Sequence, residues 1–260
     1  MFTESMHNHT TRCGHATDSE RMYIENAIQN GMKVLGFADH APYIFDPPYK
    51  SGLRMAPEKA EDYVKTILDL KREYKNDIEI HLGFEAEYYP RYFERFLKFI
   101  GQFPIEYLLL GQHAVGEETD GIWSVRETHD DNVLKKYVDQ TLEGLATGAF
   151  CCFAHPDVIN YKGNDDLYKS EMHRLCAGAK RLGIPLEVNM LGIRTNRNYP
   201  NPEFWRIAGL EGCTAVCGGD AHAANDVYDG ESYKTAEVLS AKYGFKLNGA
   251  LSILKDGKVK

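Results

Sequence analysis

Val34-Leu35-Gly36-Phe37-Ala38-Asp39-His40 is the stretch that decides how this chain is read. An apolar run of strand length ends directly in an aspartate and a histidine, and the same order recurs along the chain. Ile78 to Phe84 reads as a strand and delivers Glu85, with Glu87 two positions on. Ile105 to Leu110 is followed by Gly111-Gln112-His113, and Phe150 to Ala154 by His155-Pro156. Leu186 to Asn189 and Thr214 to Cys217 complete the run, the last leading into Gly219-Asp220-Ala221-His222. A short first strand is expected just before His7.

Helical patterns fill the intervals. Ser19 to Asn30 starts near Asp18, a suitable N-cap, and stops at Gly31. Pro57 to Tyr74 carries its proline in the first turn. Tyr92 to Ile100, Asn132 to Ala146, Asp165 to Leu182 and Glu231 to Tyr243 follow. Strands alternating with helices predict a parallel sheet. About seven such units fit an α/β, TIM-like barrel with one unit missing. A doubly wound open sheet is the alternative. The placement of the polar residues favours the barrel, because barrel enzymes build their active face at the C-terminal ends of the strands.

The chain has 260 residues, of which 43% are hydrophobic, so a single domain spanning 1–260 can bury a sizeable core. The formal net charge of −8 supplies no basic field for long nucleic acid. No apolar run has the length of a membrane span, and no segment has the order of a secretory signal. The six cysteines (Cys13, Cys151, Cys152, Cys176, Cys213 and Cys217) form no C-x-x-C pair. They are expected as reduced thiols in a cytoplasmic protein.

Most of the ten histidines sit at the expected rim. His7 and His9 are two apart, so in extended backbone they point the same way and can grip one metal. His15 lies in the following loop. Each piece alone is weak, since a lone histidine after a strand is usually structural. Six strand ends carrying imidazoles or carboxylates are another matter. Imidazole mixed with carboxylate suits Zn, Fe or Mn better than Mg or Ca. No cysteine joins the pattern, which argues against a closed structural zinc site. Several metals in proximity would form a clamp for in-line displacement at phosphorus.

These residues resemble a known family. His7-Asn8-His9-Thr10 with Cys13-Gly14-His15-Ala16 looks like the first motif of the PHP (polymerase and histidinol phosphatase) superfamily. Ala38-Asp39-His40, Gly83-Phe84-Glu85, His113, Ala154-His155-Pro156 and Gly218-Gly219-Asp220-Ala221-His222 resemble its later motifs, in order. Alanine at 38, Gln112 before His113, and glycine at 219 depart from the usual pattern without removing a ligand. Glu187-Val188-Asn189-Met190-Leu191-Gly192-Ile193-Arg194 is most similar to the histidinol-phosphate phosphatases. The resemblance implies a distorted (β/α)7 barrel and a trinuclear divalent metal centre. It implies one metal on His7, His9, Glu85 and Asp220, and a second on Glu85, His113 and His155. The third would take His15, His40 and His222.

The expected reaction is hydrolysis of a small phosphate monoester, histidinol phosphate first, as in histidine biosynthesis. Two metals would activate a hydroxide for attack on phosphorus. Glu85, Asp220 and Asp39 are the expected catalytic carboxylates, the two aspartates as candidates for protonating the leaving alkoxide. Arg194 and Arg197, after the sixth strand, are expected to fork onto phosphate oxygens. Glu117, with Glu118, is a candidate partner for an ammonium. Tyr43, Phe45 and Tyr49 lie in a long Pro-rich loop that would serve as a lid. His81 is expected to support a ligand from behind, His129 to start a helix and His173 to lie on a helix face. Three rivals are weighed: a PHP-type phosphodiesterase on nucleotides, a non-catalytic metal-binding module, and an amidohydrolase barrel. The last would want a lysine at a strand end, and none occupies a motif position.

Overall fold

In the computed structural model, which describes residues 1–254, the quoted stretch forms strand β2 (Val34–His40), buried at all seven positions. Its apolar residues are continuous rather than alternating because helices cover one face and the barrel interior the other. Strand β1 is Glu4–Ser5, β3 Glu79–Ala86, β4 Tyr107–Leu110, and a hairpin of β5 (Ala114–Val115) and β6 (Ile122–Trp123) follows. Then come β7 (Cys152–Phe153), β8 (Leu186–Asn189), β9 (Thr214–Gly218) and β10 (Lys246–Leu247). The helices are α1 (Glu20–Gln29), α2 (Ala60–Glu73), α3 (Phe93–Ile100), α4 (Asp131–Ala146), α5 (Asp165–Leu182), α6 (Met190–Arg194), α7 (Pro202–Glu211) and α8 (Gly230–Tyr243).

The main sheet is wholly parallel, in the order β1-β2-β3-β4-β7-β8-β9-β10. It curls until its two sides meet at the C-terminal rim. There the His9 N–H donates to Ala221 O at 3.0 Å and the Asp220 N–H to His7 O at 2.7 Å. Seven βα units therefore close at the rim, while the eighth strand, β10, attaches to β9 at the opposite end. This is the expected distorted (β/α)7 barrel, and the doubly wound alternative is set aside.

The helices pack by ordinary amphipathic logic. In α2 the buried residues Ala60, Tyr63, Val64, Ile67 and Leu70 recur at three- and four-residue intervals and face the sheet. Inside the barrel Met6, Ala38, Tyr107, Leu109, Cys152 and Val216 form a separate apolar cluster. The Tyr107 hydroxyl crosses this interior to donate to Met6 O at 2.7 Å.

Several expectations need correction. The N-cap of α1 is Ser19; Asp18 sits at φ +66° and its carboxylate accepts the Ala224 N–H at 3.0 Å. Helix α7 was not anticipated, although Asn201 caps it, Pro202 opens it and Gly212 ends it in the left-handed region. The β5–β6 hairpin, α6 and β10 were also not anticipated, being too short for a periodic signal. His129 precedes the α4 N-cap, Asp130, instead of starting the helix. His173 does lie on α5, bonded to Glu211 at 2.6 Å. The last six positions of the expected unit 1–260 lie outside the described residues. No helix among the described residues is long and apolar enough to cross a membrane.

Candidate metal centre

Parallel register sets the rim level. His40 on β2 lies beside Glu85 on β3, and Asn8 pairs with Ala221 across the closure. Imidazoles and carboxylates from separate strands thus arrive at one height. Two of them, His155 at φ +31° and Asp220 at φ +46°, are non-glycine residues in the left-handed region. Such backbone costs on the order of 1–3 kcal/mol and concentrates at functional sites.

Glu85 is the hub. Its carboxylate lies 2.7 Å from His155 Nε2, 3.1 Å from His40 Nδ1, 3.4 Å from His113 Nε2, and 3.5 Å and 3.7 Å from the Nε2 atoms of His7 and His9. Gly111 makes room for it, since a Cβ there would stand 2.0 Å from Glu85 Oε1. Asp220 Oδ1 meets His9 Nε2 at 3.0 Å and His7 Nε2 at 3.8 Å. His222 stacks on His9 with ring centroids 4.1 Å apart, and His15 lies 4.9 Å from His222 and 5.2 Å from His40 by the same measure. All nine residues expected as ligands meet in one place.

A further layer of acids turns the rings. Glu187 Oε2 holds His7 Nδ1 at 2.9 Å, and Gly218 leaves space for that carboxylate, which a Cβ would approach to 2.0 Å. Asp39 faces His9 Nδ1 at 3.4 Å while accepting the His40 N–H at 2.8 Å and the Thr10 hydroxyl. Glu87 holds His113 Nδ1 at 2.8 Å and is itself gripped by both terminal nitrogens of buried Arg54, each at 2.9 Å. Fixing one ring nitrogen aims the other inward and sets its tautomer, as around bound metals. The roles of Glu187 and Arg54 were not anticipated; a charged residue inside the buried strand β8 was the available signal for Glu187.

The charges divide. Burial opposes a proton on His7, yet Glu187, Asp220 and Glu85 outweigh it and raise its pKa well above the usual value. Burial likewise opposes charge on His9, but hydrogen bonds to Asp220 and Asp39 lift it to about 9. His40 and His222 go the other way: burial and the nearby His9 push His40 well below the usual imidazole value and His222 to about 3. The Glu85 carboxyl, despite burial, is held low by His113, His7 and His40.

These residues fit metal ions. Glu85 Oε2 and His40 Nδ1, though 3.1 Å apart, make no hydrogen bond, and with His155 Nδ1 they are buried without such a partner, a costly state unless something else satisfies them. Ligand atoms of His7, His9 and Glu85 lie within 4.8 Å of one another, as do those of His40, Glu85 and His113, and of His9, His40 and His222. The grouping overlaps the expected one without matching it: His40 joins both Glu85–His113 and His9–His222. The Cys13 sulfur comes within the same 4.8 Å of atoms of His15 and His222, so a cysteine does adjoin the cluster, contrary to expectation. Burial pushes its thiol up to about 12, and it donates to Thr10 O.

The rim opens into a cleft of about 390 Å³. It is lined by His15, His40, Glu85, His113, His155, Asp220 and His222, together with Leu53, Trp123, Val125, Val158, Leu191, Arg197 and Tyr199. Other expected site residues are elsewhere. Asp39 is fully buried behind His9, away from the cleft lining. Arg194 is drawn off by Asp229 at 2.9 Å and Asp226 at 3.4 Å. Glu117 accepts the Arg91 N–H at 3.1 Å, and Glu118 is taken by Arg54 Nε at 2.8 Å and the Tyr49 hydroxyl at 2.9 Å. Tyr43 and Phe45 pack around the Arg54 guanidinium in the expected lid loop. His81 supports no ligand: it binds Glu106 and Glu79 at the far end of β3.

The chain belongs to the PHP domain family, whose model matches residues 5–190. Its relatives place it with the histidinol-phosphatases. It is 31% identical over 233 residues to the "probable histidinol-phosphatase" of Deinococcus radiodurans, covering 85% of this chain and 86% of the other. A protein of the same description from Schizosaccharomyces pombe is 24% identical over 92% of this chain and 86% of its own. The same fold is found in histidinol phosphate phosphatase from Lactococcus lactis, solved with Zn, L-histidinol and phosphate, at a TM-score of 0.73 and 19% identity over 94% of this chain and 95% of that one.

Proposed function

We propose that this chain hydrolyses a phosphate monoester, L-histidinol phosphate, to the alcohol and phosphate. The observation that carries the reading is the convergence of nine imidazole and carboxylate side chains, some buried without partners, at a rim where seven of them line an open cleft. A closed structural site would leave no such opening. The relatives' shared description supplies the substrate.

His7, His9, His15, His40, Glu85, His113, His155, Asp220 and His222 would hold up to three divalent ions, with Zn, Fe and Mn all suited to the donor set. Bound there, metal ions would lower the pKa of water and neutralise charge on the phosphoryl oxygens. The chain's own groups do the rest. Glu85 touches five imidazoles and spans the cluster, which suits a bridging carboxylate. Asp220, against the effect of burial, is held ionised by His7, His9 and His222, which suits a carboxylate that would bind a metal ion at the cleft wall. Asp39 serves by orienting His9 and is not proposed to reach the leaving group. Arg197 is the one Lys or Arg side chain lining the cleft among the described residues, and its hydrogen-bond partners there are neutral, Thr195 and Tyr199. Its charge meets no carboxylate, and Nη2, which neither bond uses, is available to a phosphate oxygen. The six free cysteines and the absence of a spanning helix among the described residues are in keeping with a cytoplasmic enzyme.

The test is phosphate release by metal-replete protein from histidinol phosphate, an aryl phosphate and a nucleotide diester. Preference for histidinol phosphate is expected. Cleavage of the diester alone would retain the metal centre and move the protein to the phosphodiesterases; no hydrolysis despite full metal loading would make it a binding module.

A further inference from the structure

The cleft lining is of two kinds. Part of it is the metal-ligand candidates; the remainder is apolar except for Arg197 and the Tyr199 hydroxyl. Of the apolar residues, Trp123 on β6 and Val125 just beyond it are 39% and 46% exposed. Large apolar groups gathered at a cleft mouth mark a surface that a ligand covers.

The β5–β6 hairpin is not a loose flap. Trp123 pairs with Ala114, the residue after His113, and Ile122 with Val115. Between Trp123 and Val125, Ser124 is fully buried. Its N–H donates to His113 O at 2.7 Å, its hydroxyl to Gln112 O at 2.8 Å, and its carbonyl accepts the Asn160 N–H at 2.8 Å. Residues 123 and 125 flank this anchor and both line the cleft. The indole is thus held in fixed relation to His113, one of the candidate ligands at the reacting end.

The lining offers no spare acid. Among the described residues the carboxylates lining the cleft are Glu85 and Asp220, both in the ligand cluster. Glu117 and Glu118 lie outside the lining: Glu117 Oε1 accepts the Arg91 N–H and its buried Oε2 has no partner, and Glu118 is held by Arg54 and Tyr49. No described carboxylate beyond the ligand cluster therefore lines the cleft to pair with an ammonium.

We infer that Trp123, with Val125, Leu53, Val158 and Leu191, forms a leaving-group subsite that selects phosphate esters of alcohols bearing a planar ring, and makes no ion pair with an ammonium they carry. The inference rests on the phosphomonoesterase reading and adds what that reading leaves open, the basis of selectivity. The ring lies against the indole face while phosphate meets Arg197 and the ligand cluster. The ammonium of an amino alcohol stays in solvent.

The experiment compares four esters on the metal-replete full chain: histidinol phosphate, its analogue with hydrogen in place of the ammonium, phenyl phosphate and ethyl phosphate. The first two are expected to agree in kcat/KM within about threefold, because no buried acid is left unpaired by the analogue. Trp123→Ala should reduce the preference for ring esters over ethyl phosphate about tenfold, and Trp123→Phe should restore most of it. A loss beyond about thirtyfold on removing the ammonium would show an ion pair and overturn the inference. An unchanged ring preference in Trp123→Ala would overturn it equally. Wild-type protein that turns over none of the four esters would instead sink the phosphomonoesterase reading beneath it.

Discussion

Strand β3 carries a histidine–carboxylate cluster at each end, and the two are built on opposite principles. At the N-terminal end His81 bonds Glu106 at 2.7 Å and Glu79 at 2.9 Å, while Glu106 also takes Lys71 at 2.7 Å and the Leu82 N–H at 3.1 Å. Both ring nitrogens are partnered, and Glu79 is half exposed. At the C-terminal end Glu85 is 1% exposed, faces five imidazoles, and still has an oxygen without a hydrogen bond. The residue types are the same; the balance of partners is not. A cluster that satisfies itself is a salt bridge. One that gathers more ligands than it can satisfy, on backbone bent to φ +31° and +46°, is built for something else to complete it.

The sharpest way to break this comparison is Glu85→Gln. The amide keeps the shape but loses the charge and half the acceptor capacity. Turnover should fall on the order of a thousandfold or more, with a matching loss of bound metal by elemental analysis. His81→Gln should leave metal content as in wild type; if the two variants lose metal alike, the two ends are not different in kind. Glu187→Gln comes next, since it frees His7 to turn without removing a ligand. A loss of about 10–100-fold in metal affinity is expected from competition with a chelator. Wild-type affinity would mean that the 2.9 Å contact to His7 does not orient the ring. Arg197→Ala should raise KM for phosphate esters about tenfold while Arg194→Ala, already committed to Asp229, changes it little. Equal effects would return Arg194 to the cleft.

The contrast also explains what the sequence could tell. His40, Glu85, His113, His155 and Asp220 each come at or just after the end of an apolar run, so β2 ending at His40 and β3 delivering Glu85 were readable from pattern alone, as was the barrel those strands imply. Tilt and register then do the gathering, and they act on all rim residues alike. What stayed hidden depends on direction rather than position. Arg194 ends α6 and Arg197 follows three residues later, yet one turns to Asp229 and the other to the cleft. Glu118 looks like a loop acid until Arg54, 64 residues earlier, is seen to claim it. His81 and Glu85 share a strand and a face, and only the barrel's polarity tells support from salt bridge. Short elements such as the β5–β6 hairpin escape because two residues have no period.

The smallest effect tests the self-satisfied end. Burial would raise the Glu106 carboxyl, but hydrogen bonds from His81 and Lys71 prevail and bring it from 4.5 to about 2. The folded state therefore holds that proton less tightly than the unfolded chain, and stability from the charge is complete above pH 4.5 and lost as pH falls towards 2. Because Glu106 is partly exposed, water screens the interaction and leaves about 1 kcal/mol. Glu106→Gln should be less stable than wild type by that amount in urea at pH 7, with the gap narrowing below pH 4.5 and closing as pH falls to about 2. Its metal content and turnover should stay at wild-type levels. A stability gap as large at pH 2 as at pH 7 would mean that Glu106 acts through packing rather than charge. A loss of bound metal would mean that the two ends of β3 are coupled, and that the distinction between a satisfied cluster and an unsatisfied one does not hold along this strand.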